Sequence, residues 1–101
     1  IEDITHIEDA GVFAIVIEAT IESLAKKMVK KANVPTIGIG ACVDCSGQIL
    51  VTEDLLGLTN LQARFVKKYI DLDKKIKFAV ENYNKEVTRK KFPSNNYLYK
   101  K

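Results

Sequence analysis

The chain has 101 residues, of which 47% are hydrophobic and 29% are charged, and its formal net charge is +3. This balance is that of one small folded domain and excludes a disordered or low-complexity chain. No apolar run is long enough to span a bilayer, and we expect no secretory signal because the first residues lack a basic region. The segment from Arg89 to Lys101 is basic. We interpret it as a solvated helix end rather than as a nucleic-acid surface.

Two apolar segments near the N-terminus predict a helix and then a strand. Ile4 and Ile7 lie on one helical face with Ala10, and Gly11 is suited to end that helix. The β-branched run that follows predicts a strand near 12–18. Because this run is apolar throughout, it is typical of a buried parallel sheet.

The next segment predicts the crossover helix of a βαβ unit. Residues 21–32 divide into an apolar face and a lysine-rich face, as in an amphipathic helix, and Thr20 is placed to cap its N-terminus. A second apolar run predicts a strand near 35–41. The separation of these two strands is typical of a parallel crossover.

The rest of the chain predicts one further strand and then helices. A strand is expected near 48–52, followed by a short helical turn in TEDLLGL and a helix in ARFVKKY. A longer helix follows, with Asp71 or Asp73 as its cap and an apolar stripe that we expect to be buried. The stripe comprises Leu72, Ile76, Ala79, Val80, Tyr83 and Val87.

Three strands are too few to close a core, because doubly apolar strands need partners on both faces of the sheet. We therefore predict a partial α/β domain over 1–93 that belongs to a larger protein. The last residues, 94–101, are expected to form a loose tail.

The stretch VPTIGIGACVDCSGQILV could be a phosphate loop, a metal or redox site, or a strand beside a ligand. A dinucleotide fingerprint would need a third glycine where Val43 stands and a helix after it. Structural zinc would need four ligands, whereas only Cys42 and Cys45 lie here. We interpret both as ordinary loop thiols of a reducing compartment. The strand interpretation remains, since glycine in a strand permits close approach of a ligand or a neighbouring backbone.

A carboxylate closes the first predicted strand. Glu18 follows the run FAIVI, and α/β enzymes place reactive groups at the C-terminal ends of parallel strands. Partial burial at such a place would suit a glutamate to proton abstraction. The spacing fits an ordinary polar residue after a strand equally well. Glu53 and Asp54 follow the third predicted strand as loop, capping or site-rim acids.

Several segments in this order resemble the ketopantoate hydroxymethyltransferase family. They are EDAGVFAIVIEATIESLAKKM, VPTIGIGA, GQILVTEDLLGL, FVKKY and a late FP. The resemblance covers nearly the whole chain and implies the last three βα units of a (β/α)8 TIM barrel in a cytoplasmic homo-oligomer. It implies transfer of a hydroxymethyl group from 5,10-methylenetetrahydrofolate to the branched 2-oxo acid 3-methyl-2-oxobutanoate. The product, ketopantoate, leads to pantothenate and coenzyme A.

The resemblance also implies roles for three residues. Glu18 matches the family's proton acceptor, and Ile39 and Val51 match apolar positions around the substrate's carbon chain. A Mg²⁺ ion would hold the oxo acid and stabilise its enolate, with its ligands in the first half of the barrel, outside this sequence. We assign no folate-binding residue, and we expect neither nucleic acid nor a membrane as a partner.

The resemblance is incomplete at five loop positions. The family usually has Gly where Cys42 stands, Asp where Ser46 stands and His where Glu53 stands. A Glu-His pair is replaced by Asn96 and Tyr97. These departures fall on loops that could contact folate or a neighbouring subunit.

Two alternatives stay open. The chain could be a non-catalytic fragment that assembles with itself or with a partner to cover its sheet edges. It could also belong to another enolate-forming barrel of the phosphoenolpyruvate/pyruvate kind, with the same chemistry and a different substrate.

Overall fold

The computed structural model describes residues 1–101 and contains a three-stranded parallel sheet. The strands, in the order β1-β2-β3, are β1 (Ile15–Glu18), β2 (Thr36–Ile39) and β3 (Gly47–Gln48). The helices are α1 (Glu2–Asp9), α2 (Glu22–Lys31), α3 (Thr52–Leu55) and α4 (Leu72–Thr88), with a 3₁₀ helix at Asn95–Tyr97. The predicted parallel α/β arrangement is confirmed, and the complete barrel stays a prediction.

Each strand is shorter than the sequence predicted, because each pairs with its neighbouring strand over only a few residues. β1 begins at Ile15 because its only partner, β2, follows Pro35, which has no N–H to donate. The Ile15 N–H donates to the Pro35 carbonyl oxygen at 2.9 Å. β3 is an edge strand of two residues, so Val51 lies beyond it as the N-cap of α3.

The two N-terminal helices form where the apolar periodicity predicts them. α1 ends at Asp9, and Gly11 follows with φ +91°, a conformation that glycine adopts readily. The N-cap of α2 is Ile21, so the prediction of Thr20 as the cap is wrong. The Thr20 hydroxyl instead donates to the Glu18 carbonyl oxygen at 3.0 Å, which stabilises the turn directly after β1.

The main core cluster lies on one face of the sheet. Ile15 and Ile17 of β1 are buried, whereas Val16 and Glu18, which alternate with them, are exposed. The core cluster joins both N-terminal helices to that one face and comprises Ile4, Ile15, Ile17, Ala25, Ala41 and Cys42. On the opposite face β1 is left open, as expected for part of a larger α/β protein, whereas Ile39 of β2 is only 6% exposed.

α4 stands apart from the sheet. Of the two predicted caps, Asp71 is the one that caps its N-terminus, because Asp71 Oδ1 accepts the Lys74 N–H at 3.4 Å. The prediction that its apolar stripe is buried is wrong: no residue of α4 is buried, and Ile76 is 50% exposed. The radius of gyration is 23.1 Å, against about 13 Å for a compact domain of this length. The chain therefore supplies no surface on which the stripe packs. No helix has both the length and the apolar character needed to cross a membrane.

The segment between α3 and α4 is not the helix predicted for ARFVKKY. Only a turn forms, in which the Val66 N–H donates to the Ala63 carbonyl oxygen at 3.0 Å. Further along, the Tyr69 N–H donates to the Leu55 carbonyl oxygen at 2.9 Å. This segment therefore hydrogen-bonds to the end of α3 instead of closing helical turns of its own.

The predicted tail contains local structure. The Phe92 ring lies 5.6 Å from the Tyr83 ring and 5.5 Å from the Tyr97 ring, measured between centroids. Aromatic pairs at this separation attract one another beyond their burial. The three rings therefore hold the 3₁₀ helix near the C-terminal end of α4.

Glu8 ties α1 to the loop before β2. Its Oε1 accepts the Asn33 N–H at 2.6 Å and the Val34 N–H at 3.4 Å, and its Oε2 accepts from Asn33 Nδ2 at 3.1 Å. These hydrogen bonds, the Asn33 main-chain bond foremost, hold the pKa of Glu8 below its usual value of 4.5. The charged form of Glu8 is therefore the one that stabilises the fold.

Glu8→Gln is expected to lower the free energy of unfolding at neutral pH. Because the folded-state pKa is depressed, the contribution of Glu8 is present above its unfolded-state pKa and is lost as the pH falls through the folded-state value. The difference between the parent and Glu8→Gln should therefore shrink in acid. Urea unfolding of both chains from neutral pH to below 4.5 measures this. Asp9→Asn is the control, and equal pH dependence for Glu8→Gln and the parent would contradict the assignment.

Gly38 and Gly40 make room for other parts of the chain. A Cβ at Gly38 would lie 2.9 Å from Cys45 Sγ. Gly40 has φ +61°, and a Cβ there would collide with the Cβ of Phe65. The close approach that the strand interpretation predicted at these glycines is therefore made by the chain's own neighbouring segments.

Gly40→Ala is expected to destabilise the chain by about 1–3 kcal/mol, because the new methyl group must displace Phe65 and sits on a left-handed backbone. Gly47→Ala is the matched control, since a Cβ at Gly47 meets no heavy atom within 4 Å. Urea unfolding at neutral pH compares the two. Equal losses of stability would show that the contact between Gly40 and Phe65 does not constrain the fold.

Candidate functional site

Glu18 and Ile39 lie side by side at the C-terminal ends of β1 and β2. The parallel register pairs Glu18 with Ile39 and, two residues earlier, Val16 with Ile37. Paired residues on neighbouring parallel strands project from the same face, with the strands about 4.8 Å apart. Since Ile17 points into the core, Glu18 and Ile39 belong to the opposite face, where Glu18 is exposed and Ile39 is buried. The structure therefore brings these two candidate residues together.

The carboxylate of Glu18 is exposed in this chain. The main-chain carbonyl of Glu18 accepts a hydrogen bond from the Thr20 hydroxyl. No side chain of the molecule forms an ion pair with the Glu18 carboxylate. The partial burial that we expected around a catalytic glutamate is absent here, because nothing in the chain covers the open face of β1.

The backbone directly after Glu18 is strained. Ala19 has φ +51°, a left-handed conformation that costs a residue with a side chain on the order of 1–2 kcal/mol. The hydrogen bond between Thr20 and the Glu18 carbonyl closes this turn. Strained residues of this kind cluster at functional sites, and here the turn lies immediately after the candidate base.

An open cavity of about 440 Å³ lies beside Ile39, and its lining includes Gly40, Arg64 and Phe65. Arg64 brings a guanidinium group, which suits the binding of carboxylates. Arg64 and Phe65 were not predicted as site residues, because the composition of their segment indicates a helix. The signal in the sequence that could have indicated them is Gly40 at the end of a strand, because a glycine there leaves space for another segment of the chain to approach.

Val51 does not lie beside Glu18 and Ile39. It caps α3, is 51% exposed, and lines neither the cavity beside Ile39 nor a larger one of about 640 Å³ near Leu55. The physical reason is that β3 ends at Gln48, so Val51 does not continue the sheet as the sequence predicted.

The acids at the start of α3 have different surroundings. Asp54 is 4% exposed and accepts the Thr59 hydroxyl, so it stabilises the turn after α3. Glu53 beside it is exposed. No three His, Cys, Asp or Glu side chains cluster to hold a metal ion. The residues of this chain therefore do not by themselves fit a magnesium site.

Comparison with known proteins identifies the family. The family profile described as ketopantoate hydroxymethyltransferase matches residues 1–95. The 3-methyl-2-oxobutanoate hydroxymethyltransferase of Pelagibacter ubique (strain HTCC1062) is 50% identical over 99 residues, 98% of this chain and 38% of the relative. The proteins of that name from Bartonella bacilliformis and Kosmotoga olearia are 47% and 50% identical, covering 97% and 92% of this chain.

The match covers most of this chain and a smaller part of each relative. The chain spans 38%, 36% and 35% of the lengths of these three relatives. Because the profile extends over residues 1–95 and the relatives share close to half of their aligned residues, this chain belongs to the ketopantoate hydroxymethyltransferase family.

Proposed function

We propose that this chain is the C-terminal, substrate-facing part of a hydroxymethyltransferase that makes ketopantoate. The substrate is 3-methyl-2-oxobutanoate, the compound in the relatives' name, and 5,10-methylenetetrahydrofolate supplies the one-carbon unit. A proton leaves the carbon beside the ketone, and the resulting enolate forms a carbon–carbon bond to the transferred methylene. Water supplies the hydroxyl group, and tetrahydrofolate leaves. The observation that carries the proposal is the pairing of Glu18 with Ile39 on the face of the sheet opposite the core cluster.

Glu18 is the base in this proposal. Proton abstraction beside a ketone needs a carboxylate positioned at the substrate carbon, and Glu18 lies at the C-terminal end of a parallel strand, where such groups act. The strained turn at Ala19 supports this role. Ile39 would contact the branched carbon chain, and Arg64 lies close enough to the cavity beside Ile39 to meet a carboxylate.

The rest of the site would come from the remainder of a (β/α)8 barrel. On this proposal the additional strands bury Glu18, bring Val51 towards the substrate and carry the acids that hold Mg²⁺. Enolate formation needs an electrophile at the carbonyl oxygen, and this chain offers no candidate for that role. The free thiols of Cys42 and Cys45 are compatible with a cytoplasmic location, where thiols stay reduced.

Glu18→Gln is expected to lower turnover by about a hundredfold or more, the usual contribution of a general base. The test uses a chimera in which this chain replaces the corresponding region of the Pelagibacter ubique relative, to which it is 50% identical. Ketopantoate formation is measured with both substrates at saturating concentration. The loss should appear in kcat rather than in KM, because glutamine has nearly the volume of glutamate and should leave substrate binding unchanged.

Glu81→Gln is the matched control, since Glu81 is an exposed acid on α4, away from the sheet. It should leave turnover unchanged. If the parent chimera is active and the Glu18→Gln chimera has a turnover within a few-fold of it, Glu18 is excluded as the base. A chimera that folds and remains inactive in every form would instead contradict the proposed activity of this segment.

A second candidate function is self-assembly without catalysis, which the open sheet face favours. Val16 is 55% exposed, Ile49 is 50% exposed, and the apolar residues of α4 are also uncovered. Exposed apolar surfaces of this kind promote association.

Val16→Lys is expected to shift the chain alone towards the monomer, because a lysine ammonium cannot be buried in an apolar contact without a partner. Sedimentation velocity at several concentrations measures the change. Lys27→Ala on the exposed side of α2 serves as the control. A parent chain that sediments as a monomer throughout would exclude self-assembly through this face.

A further inference from the structure

Cys42 and Cys45 form a close pair of thiols at the end of β2. Both are free, and their sulfur atoms lie 3.7 Å apart. Cys42 belongs to the core cluster, and Cys45 is half-buried and packs against that cluster. Cys45 Sγ also faces Gly38, where a Cβ would lie 2.9 Å from it. The pair therefore sits inside a packed loop, in contrast to the ordinary loop thiols that the sequence indicated.

The loop between β2 and β3 holds the two sulfur atoms near one another without a covalent bond. The Gln48 Nε2 donates to the Cys42 carbonyl oxygen at 2.7 Å. The Thr36 N–H donates to Ser46 Oγ at 3.1 Å, and the Ser46 N–H donates to Thr36 Oγ1 at 3.4 Å. Both ends of the loop are therefore fixed to the sheet, and the dithiol is pre-organised.

Cys42 lies beside an open cavity. It lines an open cavity of about 350 Å³ together with Val43 and Gln48. Cys42 is 8% exposed, and Cys45 is the more exposed of the two residues. A small disulfide can therefore approach the pair, and the second thiol lies in position to react with a sulfur atom bound to the first.

We propose that Cys42 and Cys45 are a reversible dithiol–disulfide site, closed by exchange with a low-molecular-weight disulfide such as glutathione disulfide. The thiolate of one cysteine attacks one sulfur of glutathione disulfide and releases the first glutathione thiolate. The thiolate of the other cysteine then attacks the protein sulfur of this mixed disulfide and releases the second. The two protein thiols lose two electrons and two protons, and one glutathione disulfide becomes two glutathione molecules.

Closure requires only a small movement. The sulfur atoms must approach from 3.7 Å to about 2.05 Å, the length of a disulfide bond. Burial raises the pKa of the Cys45 thiol, so little of it is thiolate at neutral pH, and exchange through this thiol is slow. The oxidation state of the two cysteines is therefore measured at equilibrium, after incubation for hours, the timescale of uncatalysed disulfide exchange.

The experiment equilibrates the folded chain with a mixture of glutathione and glutathione disulfide, quenches it with acid and alkylates the remaining thiols. Intact mass then distinguishes an internal disulfide from glutathione adducts. We expect the internal disulfide to exceed mixed disulfides by more than about tenfold, because the second thiol is held at a high effective concentration. Reduced glutathione in excess should reverse the product.

Cys42→Ser and Cys45→Ser are the matched variants. Each should yield a single glutathione adduct and no internal disulfide, which would appear as a mass lower by two hydrogen atoms. Since Cys42 is buried, Cys45→Ser keeps the test sound if the other variant unfolds. Two glutathione adducts on the parent chain, two unreacted thiols at equilibrium or disulfide-linked dimers would each overturn the proposal. None of these outcomes depends on the hydroxymethyltransferase function.

Discussion

The burial of Ile15 and Ile17 beneath α1 and α2 is the constraint that determines where Glu18 points. Side chains alternate across a strand, so a strand whose odd positions enter the core must present Val16 and Glu18 on the opposite face. Burying two isoleucine side chains stabilises this register by roughly 1.5–3 kcal/mol each. A slip of one residue would bury an unpaired carboxylate, which costs several kcal/mol. The apolar side chains of β1 thus fix the orientation of its one charged residue.

β2 and the turn after it add the second constraint through Gly38 and Gly40. Gly38 admits Cys45 on the core side, and Gly40 admits Phe65 at the C-terminal end of the strand. The same short strand therefore places Ile39 beside Glu18, brings Arg64 to the neighbouring cavity and packs the dithiol beneath the sheet. A side chain at either glycine would disturb a contact on which one of these arrangements depends.

The sequence predicts the elements whose interactions are local. The apolar periodicity and Gly11 place α1, the β-branched runs place β1 and β2, and Asp71 marks the start of α4. The errors fall where long-range contacts decide. The ARFVKKY segment has helical composition, but its Tyr69 N–H bonds to the Leu55 carbonyl oxygen. The stripe of α4 has the right period for burial, but nothing in the chain covers it.

The candidate site was predictable to a similar extent. Glu18 could be found as a carboxylate ending an apolar strand, and its pairing with Ile39 follows from the parallel register. Arg64 could not be found, since its approach depends on a segment that crosses β2 without regular structure. The closeness of the two sulfur atoms also depends on the anchoring of the loop by Gln48 and Ser46, which no local pattern reveals.

The most direct test of the central claim is solvent deuterium exchange at the carbon beside the ketone of 3-methyl-2-oxobutanoate, in the active chimera and without folate. This reaction isolates proton abstraction from the transfer step. If Glu18 faces the substrate, the parent chimera exchanges this hydrogen, and Glu18→Gln loses the exchange while Glu81→Gln keeps it. Exchange by Glu18→Gln at the parent rate would show that another group removes the proton and that the orientation of Glu18 has no catalytic meaning.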